Sequence, residues 1–289
     1  MGAELKVWLN GEIIPETSAR LPVTERGFLY SDGIFTTFRF YGKKVFLAEK
    51  HFLRLADSSS FLGLPKPKME LFGFAEELAA KNGHGEGAGR ITISRGSLPA
   101  GPRPGFSSSP TILITTRPLP HTLEERREKG IRGSTLPWPS KSEGLPLHGH
   151  KTLAYLPSVI ALGLVEEGVE PIMETTGGFL SEGATSNLFW RRGAVLYTPS
   201  LTSGCLPGVA RGLTIELAEK AGIKVEEGLY ARSELFEADE GFVTNCVSEI
   251  TPLVQVDGTV IGDGSPGPLT SRLLAEWART VKAFRGKPG

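Results

Sequence analysis

The 289-residue chain is short of the features that mark several protein classes. Its two cysteines, Cys205 and Cys246, are too few for a disulfide framework and lack the CxxC or Cys/His spacing of a zinc site. No run approaches the roughly 18 apolar residues that a membrane span requires. Lys and Arg total 32 and Asp and Glu total 32, so there is no general electrostatic bias toward nucleic acid or an anionic membrane. Any anion must be caught by a local site. There is no GxxxxGK[ST] sequence, and the Gly83–Gly89 stretch neither follows a strand nor opens a helix, which argues against a nucleotide-phosphate loop. The N-terminal MGAELKVWLNGE runs straight into strand-like sequence and does not read as a secretory leader. Together these absences lead us to expect a cytoplasmic protein with no membrane, nucleic-acid or metal partner.

With 39% hydrophobic and 22% charged residues, the composition is globular, and the length suits two domains or one large one. Residues 5–9 and 12–14 flank Asn10-Gly11 and read as a β-hairpin. A second hairpin is expected from Gly33–Tyr41 and Val45–Leu47 around Gly42-Lys43-Lys44. Apolar residues at helical spacing predict helices over 48–62 and about 68–81, the latter stopped by Asn82-Gly83. Strands at 90–95 and 111–116 enclose a Gly/Pro/Ser-rich loop. Arg117-Pro118-Leu119-Pro120 marks a composition shift, so we expect a small α+β domain over 1–118, a linker over 119–124 and a larger domain over 125–289. In the latter, strands are expected at 130–136, 171–175, 188–191, 194–197, 224–228, 241–244 and 253–260, with helices at 152–167 and 208–221. Strands and helices without regular βαβ alternation indicate an α+β fold.

Four polar or glycine-rich segments can carry chemistry. His148-Gly149-His150-Lys151-Thr152 places a lysine where a loop meets the expected helix, and partial burial there would favour a neutral, nucleophilic amine. Most lysines at helix starts are simply solvated. Glu182-Gly183-Ala184-Thr185-Ser186-Asn187 offers a carboxylate for a protonated ring nitrogen, or a turn capped by its own side chains. Leu206-Pro207-Gly208-Val209-Ala210-Arg211 opens a helix whose free N–H groups suit a phosphate, as any helix start does in part. Thr244-Asn245-Cys246-Val247-Ser248-Glu249 adds donors after a strand, or is an ordinary turn.

In their order and spacing these segments resemble the class IV, fold-type IV enzymes dependent on pyridoxal 5′-phosphate (PLP). That group includes branched-chain and D-amino-acid aminotransferases and aminodeoxychorismate lyase. The resemblance runs from Tyr30-Ser31-Asp32-Gly33-Ile34-Phe35 to Thr244–Pro252 and implies a small N-terminal domain with a larger pseudo-barrel domain. It implies that Lys151 forms the Schiff base with PLP and that Glu182 meets the pyridine nitrogen, with Asn187 closing the same segment. Arg54, in Glu49-Lys50-His51-Phe52-Leu53-Arg54-Leu55, would bind the cofactor phosphate with the backbone N–H groups of Val209 and Ala210. Asn245 and Cys246 would complete that cradle, and Leu206 would pack under the ring. The family often has Thr or Ser where this chain has Ala210 and Cys246, so those two contacts rest on main-chain donors. Tyr155 is a loose match to a tyrosine that supports the cofactor in some members.

Aminotransferases and the lyase share this cofactor site, so the residues around the substrate must separate them. Phe35-Thr36-Thr37 is similar to the lyases, which implies Phe35 beside the substrate and Thr37 in the proton steps. Thr152 after the lysine is instead similar to aminotransferases, and Arg103 in the 101–105 loop is placed to catch a substrate carboxylate as in D-amino-acid aminotransferases. The residues divide between the two, and because aminotransferases are the more numerous group in this superfamily, an aminotransferase acting on a small amino acid or amine and a 2-oxo acid is expected. Aminodeoxychorismate lyase, forming 4-aminobenzoate and pyruvate, is the alternative. A non-catalytic PLP-binding protein is the alternative of another kind, and retention of Lys151, Glu182 and Arg54 together speaks against it. The family is usually homodimeric, so the resemblance implies a homodimer.

Overall fold

A computed structural model describes residues 4–97, 101–105 and 109–286. The chain divides into two units: residues 1–119 together with 150–154, and residues 120–149 together with 155–289. The division falls between Leu119 and Pro120, and the lysine segment belongs with the first unit although it lies beyond the expected boundary in sequence.

The first unit is a six-stranded antiparallel sheet with two long helices. Its strands are β1 (Lys6–Leu9), β2 (Glu12–Pro15), β3 (Gly33–Tyr41), β4 (Lys44–Val45), β5 (Ala88–Ser94) and β6 (Thr111–Arg117), in the order β2-β1-β6-β5-β3-β4. The Asn10-Gly11 hairpin forms as expected, and β5 pairs with β6 from Ala88↔Arg117 to Ser94↔Thr111. Helix α1 (Arg26–Tyr30) is short, and α2 (Ala48–Phe61) and α3 (Glu70–Asn82) follow. Alternate β3 residues Ile34, Phe38 and Phe40 pack with Leu55 of α2, Leu78 of α3 and Ile91 of β5 in one apolar cluster. Thr36 occupies the remaining position in that β3 row and is fully buried.

The second unit holds α4 (Leu123–Lys129), β7 (Ile131–Thr135), α5 (Leu156–Gly163), β8 (Glu170–Glu174), β9 (Leu180–Gly183), β10 (Asn187–Arg192) and β11 (Val195–Pro199). Then come α6 (Val209–Lys220), β12 (Lys224–Gly228), α7 (Arg232–Phe236), β13 (Glu240–Asn245), β14 (Glu249–Val256), β15 (Thr259–Val260) and α8 (Pro268–Arg285). Strands β10-β13-β14-β7-β8-β9 follow one another in the sheet, and β9 pairs again with β10 through Glu182↔Asn187. The six strands thus close into a ring, a pseudo-barrel that removes two free edges. Strands β11 and β12 extend the sheet from β10. The fold is α+β.

Two sequence expectations are corrected. The helix expected over 152–167 spans only Leu156–Gly163, because residues 151–153 bond as an extended segment to β3 and Pro157 suits a first helical turn. The strand expected over 253–260 begins at Glu249 and breaks at Asp257-Gly258, both with positive φ, into the β14–β15 hairpin.

Candidate active site

In the first unit, main-chain bonds fix the lysine segment to the start of β3. Phe35 N donates to Lys151 O at 2.9 Å, Leu153 N donates to Gly33 O at 2.9 Å, and Ile34 and Thr152 form a bridge. Glycine at 33 permits this approach, since a Cβ there would meet Ile93 O at 2.6 Å and Leu153 Cδ1 at 2.7 Å. His150 fastens the segment to α2: its ring stacks on Phe61 with centroids 4.1 Å apart, and its Nδ1 is 3.2 Å from Ser58 Oγ. Lys151 Nζ then lies 4.7 Å from the centroid of the Phe35 ring. The Arg90 guanidinium stacks on the same ring at 3.6 Å. Thr37, half-buried, is the register partner of Arg90 across β3 and β5, so the two side chains share a sheet face.

Arg54, half-buried on α2, donates from Nη2 to Thr36 Oγ1 at 3.0 Å. The same hydroxyl is 2.8 Å from Nδ1 of buried His51. Burial, then the charges of Arg54 and Lys151, hold the His51 imidazole well below its ordinary pKa, so it is neutral. Arg103 is exposed, on a segment tied by Arg26, which donates to Gly101 O at 2.7 Å and Pro102 O at 2.9 Å. Arg26 and Arg95 both bind Asp32 at 2.7 Å. Burial works against the Asp32 carboxylate, but these hydrogen bonds outweigh it and hold the pKa below the ordinary value.

In the second unit the focus is Glu182, 8% exposed on β9. Its Oε1 pairs with Lys141 Nζ at 2.6 Å. Its Oε2 accepts from Leu206 N at 3.0 Å and from Asn187 Nδ2 at 3.3 Å, while Asn187 Nδ2 also reaches Leu206 O at 2.9 Å. Lys141 is placed by its backbone, with its N donating to Glu174 O and its O accepting from Thr176 N. Behind β9, buried Glu170 accepts from Ser186 Oγ at 2.8 Å; burial, despite that bond, pushes its pKa up. Glu182, Asn187 and Thr244 are successive register partners on β9, β10 and β13 and so project to one face.

Helix α6 begins at Gly208 with no side-chain cap, leaving the N–H groups of its first turn, Val209 and Ala210 among them, without a side-chain acceptor. A Cβ at 208 would lie 2.1 Å from Asn187 Oδ1, so any larger residue there would have to displace the Asn187 amide. Asn245 Oδ1 accepts from Val247 N at 2.9 Å and Ser248 N at 2.8 Å, closing the turn that carries half-buried Cys246. Tyr155 donates to Ala184 O at 3.4 Å.

The structure therefore brings Lys151, Phe35, Thr37 and Arg54 together in one unit, and Glu182, Asn187, Leu206 and the α6 start together in the other. Asn245 and Cys246 lie in the turn between β13 and β14. Four neighbours escaped the sequence reading. His51 stands three residues before Arg54 on one helical face, and Arg90 sits on a strand opposite Thr37; both spacings are legible. Thr36 looked like one more strand residue, and nothing in the polar 137–149 loop singles out Lys141.

The amino-transferase class IV family model matches residues 33–256. The chain belongs to the class IV aminotransferases. It is 32% identical to the aminodeoxychorismate lyase of Bacillus subtilis, over 96% of this chain and 94% of that protein. It is 28% identical to the D-alanine aminotransferase of Bacillus licheniformis, over 96% of this chain and all of that one. The branched-chain amino acid aminotransferase of T.th., solved with pyridoxamine 5′-phosphate, superposes with a TM-score of 0.88 at 26% identity, over 99% of this chain and 97% of that one. The family is PLP-dependent, and the residues present fit that cofactor. The α6 start is uncapped, and Thr244 Oγ1, on the face that carries Glu182, is buried without a hydrogen-bond partner.

Proposed function

We propose that the chain is a PLP-dependent aminotransferase acting on a small amino acid or amine with a 2-oxo acid as acceptor, and that Lys151 Nζ carries the cofactor. The observation that carries this reading is the Arg90 guanidinium stacked on the Phe35 ring, against which Lys151 Nζ also lies. A cation held against the same ring as the lysine suits a carboxylate on the substrate. Arg103, exposed on the 101–105 segment, is the second candidate for that carboxylate.

When bound, PLP supplies an electron sink for charge developing at the substrate α-carbon. Glu182, held by Lys141, Leu206 N and Asn187, would accept from the ring nitrogen. Arg54 in the first unit would bind the phosphate, and in the second unit the N–H groups of Val209 and Ala210 would be donors for it, with Asn245 and Cys246 adding main-chain donors. Leu206, half-buried where the chain enters α6, would pack under the ring. Lys151 Nζ, as a free amine, would serve as the base that moves the substrate α-proton. Thr37, on the face that Arg90 shares, assists that transfer.

Thr37 also favours a second reading, aminodeoxychorismate lyase, since a hydroxyl there can serve a proton step that aromatises the product. Purified protein given D-alanine and 2-oxoglutarate, and separately aminodeoxychorismate, distinguishes the two. Keto-acid exchange supports the aminotransferase, and 4-aminobenzoate formed without exchange overturns it. We also propose a cytoplasmic homodimer. Helix α5 exposes Leu156, Val159, Ile160 and Leu162, an apolar face that a second copy would cover. No described helix is long and apolar enough to cross a membrane.

A further inference from the structure

We propose that Thr36 and His51 are positioning residues that aim the Arg54 guanidinium at the cofactor phosphate, an inference that rests on the assignment of Arg54 above. Thr36 stands in the β3 row of Ile34, Phe38 and Phe40, where every other side chain is apolar and buried. A hydroxyl in that row costs stability unless it is hydrogen-bonded. Its two partners are Arg54 Nη2 at 3.0 Å and His51 Nδ1 at 2.8 Å.

A guanidinium has donors only, so Arg54 donates to Thr36 Oγ1. The same hydroxyl shares a hydrogen bond with Nδ1 of the His51 ring, whose direction depends on the imidazole tautomer. Thr36 thus links Arg54 to His51, and Thr36 and His51 are 0% and 1% exposed.

Such a chain addresses the weakness of arginine as an anion ligand. Its side chain surrenders about 2 kcal/mol of rotamer freedom when it is fixed. Held at Nη2 by a β-branched residue of stiff χ1, itself locked by a buried ring, the guanidinium is ordered before the phosphate arrives. The phosphate then meets a guanidinium that has already given up part of that freedom.

The test compares dissociation constants for PLP and for pyridoxal, which lacks the phosphate, in the full-length protein. Arg54→Ala weakens PLP while leaving pyridoxal unchanged if the phosphate assignment holds. Thr36→Val, nearly isosteric, is expected to weaken PLP roughly tenfold, the value of one hydrogen bond to a charged group, with pyridoxal unchanged. Thr36→Ser, which restores the hydroxyl, is expected to bind PLP as the parent does. If Thr36→Val does not fold, by circular dichroism, Thr36→Ala makes the same comparison. Loss of PLP selectivity in Arg54→Ala but not in the Thr36 variants overturns the positioning role alone. Equal weakening of both ligands by Thr36→Val also overturns it, as a general packing effect. If Arg54→Ala leaves selectivity intact, the phosphate assignment falls and the inference with it.

Discussion

The two units hold their chemistry-bearing residues by different means. In the second, Glu182 is fixed by charge and main chain: an ammonium at one oxygen, a backbone N–H and an amide at the other. In the first, a buried hydroxyl links Arg54 to an uncharged imidazole, and an aromatic ring and main-chain bonds to β3 border Lys151. The contrast follows from the charges themselves. A carboxylate can be gripped by cations and N–H donors, whereas a carboxylate against Lys151 would favour the charged form of an amine that must be neutral to act.

The largest expected effect comes from removing the amine. Lys151→Ala should abolish covalently held cofactor absorbance and lower turnover by at least about 10²–10⁴-fold, the range for a positioned proton-transfer group. Next is the charged grip in the second unit. Glu182→Gln removes a charge-assisted acceptor, so kcat should fall roughly 10–100-fold while Lys151 still carries PLP, as measured by bound absorbance. An unchanged kcat would show that the Glu182 cluster serves only the fold.

A smaller effect is expected on stability. Gly208→Ala drives a methyl into Asn187 Oδ1 and should cost about 1–3 kcal/mol, read from the denaturant midpoint. The neutral grip in the first unit should show in the pH dependence of the same midpoint. Because His51 has a folded-state pKa well below its ordinary 6.5, the folded protein binds fewer protons than the unfolded chain. That contribution is complete above about pH 6.5 and is lost as pH falls, at up to about 1.4 kcal/mol per pH unit. In His51→Asn the slope between pH 6.5 and 5 should flatten. An unchanged slope would mean that other groups set it.

Much of the local structure was legible in particular residues. Asn10-Gly11 specified the first hairpin, and apolar spacing gave α2 and α3, with Gly83 in the left-handed cap that ends α3. Strand β9 was hidden because Leu180-Ser181-Glu182-Gly183 is polar and glycine-containing, as a turn would be; it is a strand because the closing ring needs it. Helix α8 went unread although Leu273, Trp277 and Val281 recur at helical spacing along one face behind Pro268. The candidate site divides in the same way. Lys151, Glu182 and Arg54 stand in recognisable segments, but Lys141 meets Glu182 across 41 positions, and only strand pairing and loop anchoring bring it there.

Lys141 also supplies the strictest rival, a second amine already beside the carboxylate assigned to the ring nitrogen. Borohydride reduction of the cofactor-loaded protein, followed by digestion and mass spectrometry, reports which lysine holds PLP. A phosphopyridoxyl group on Lys151 is the expected result; a label on Lys141 or any other lysine, or no label at all, contradicts it.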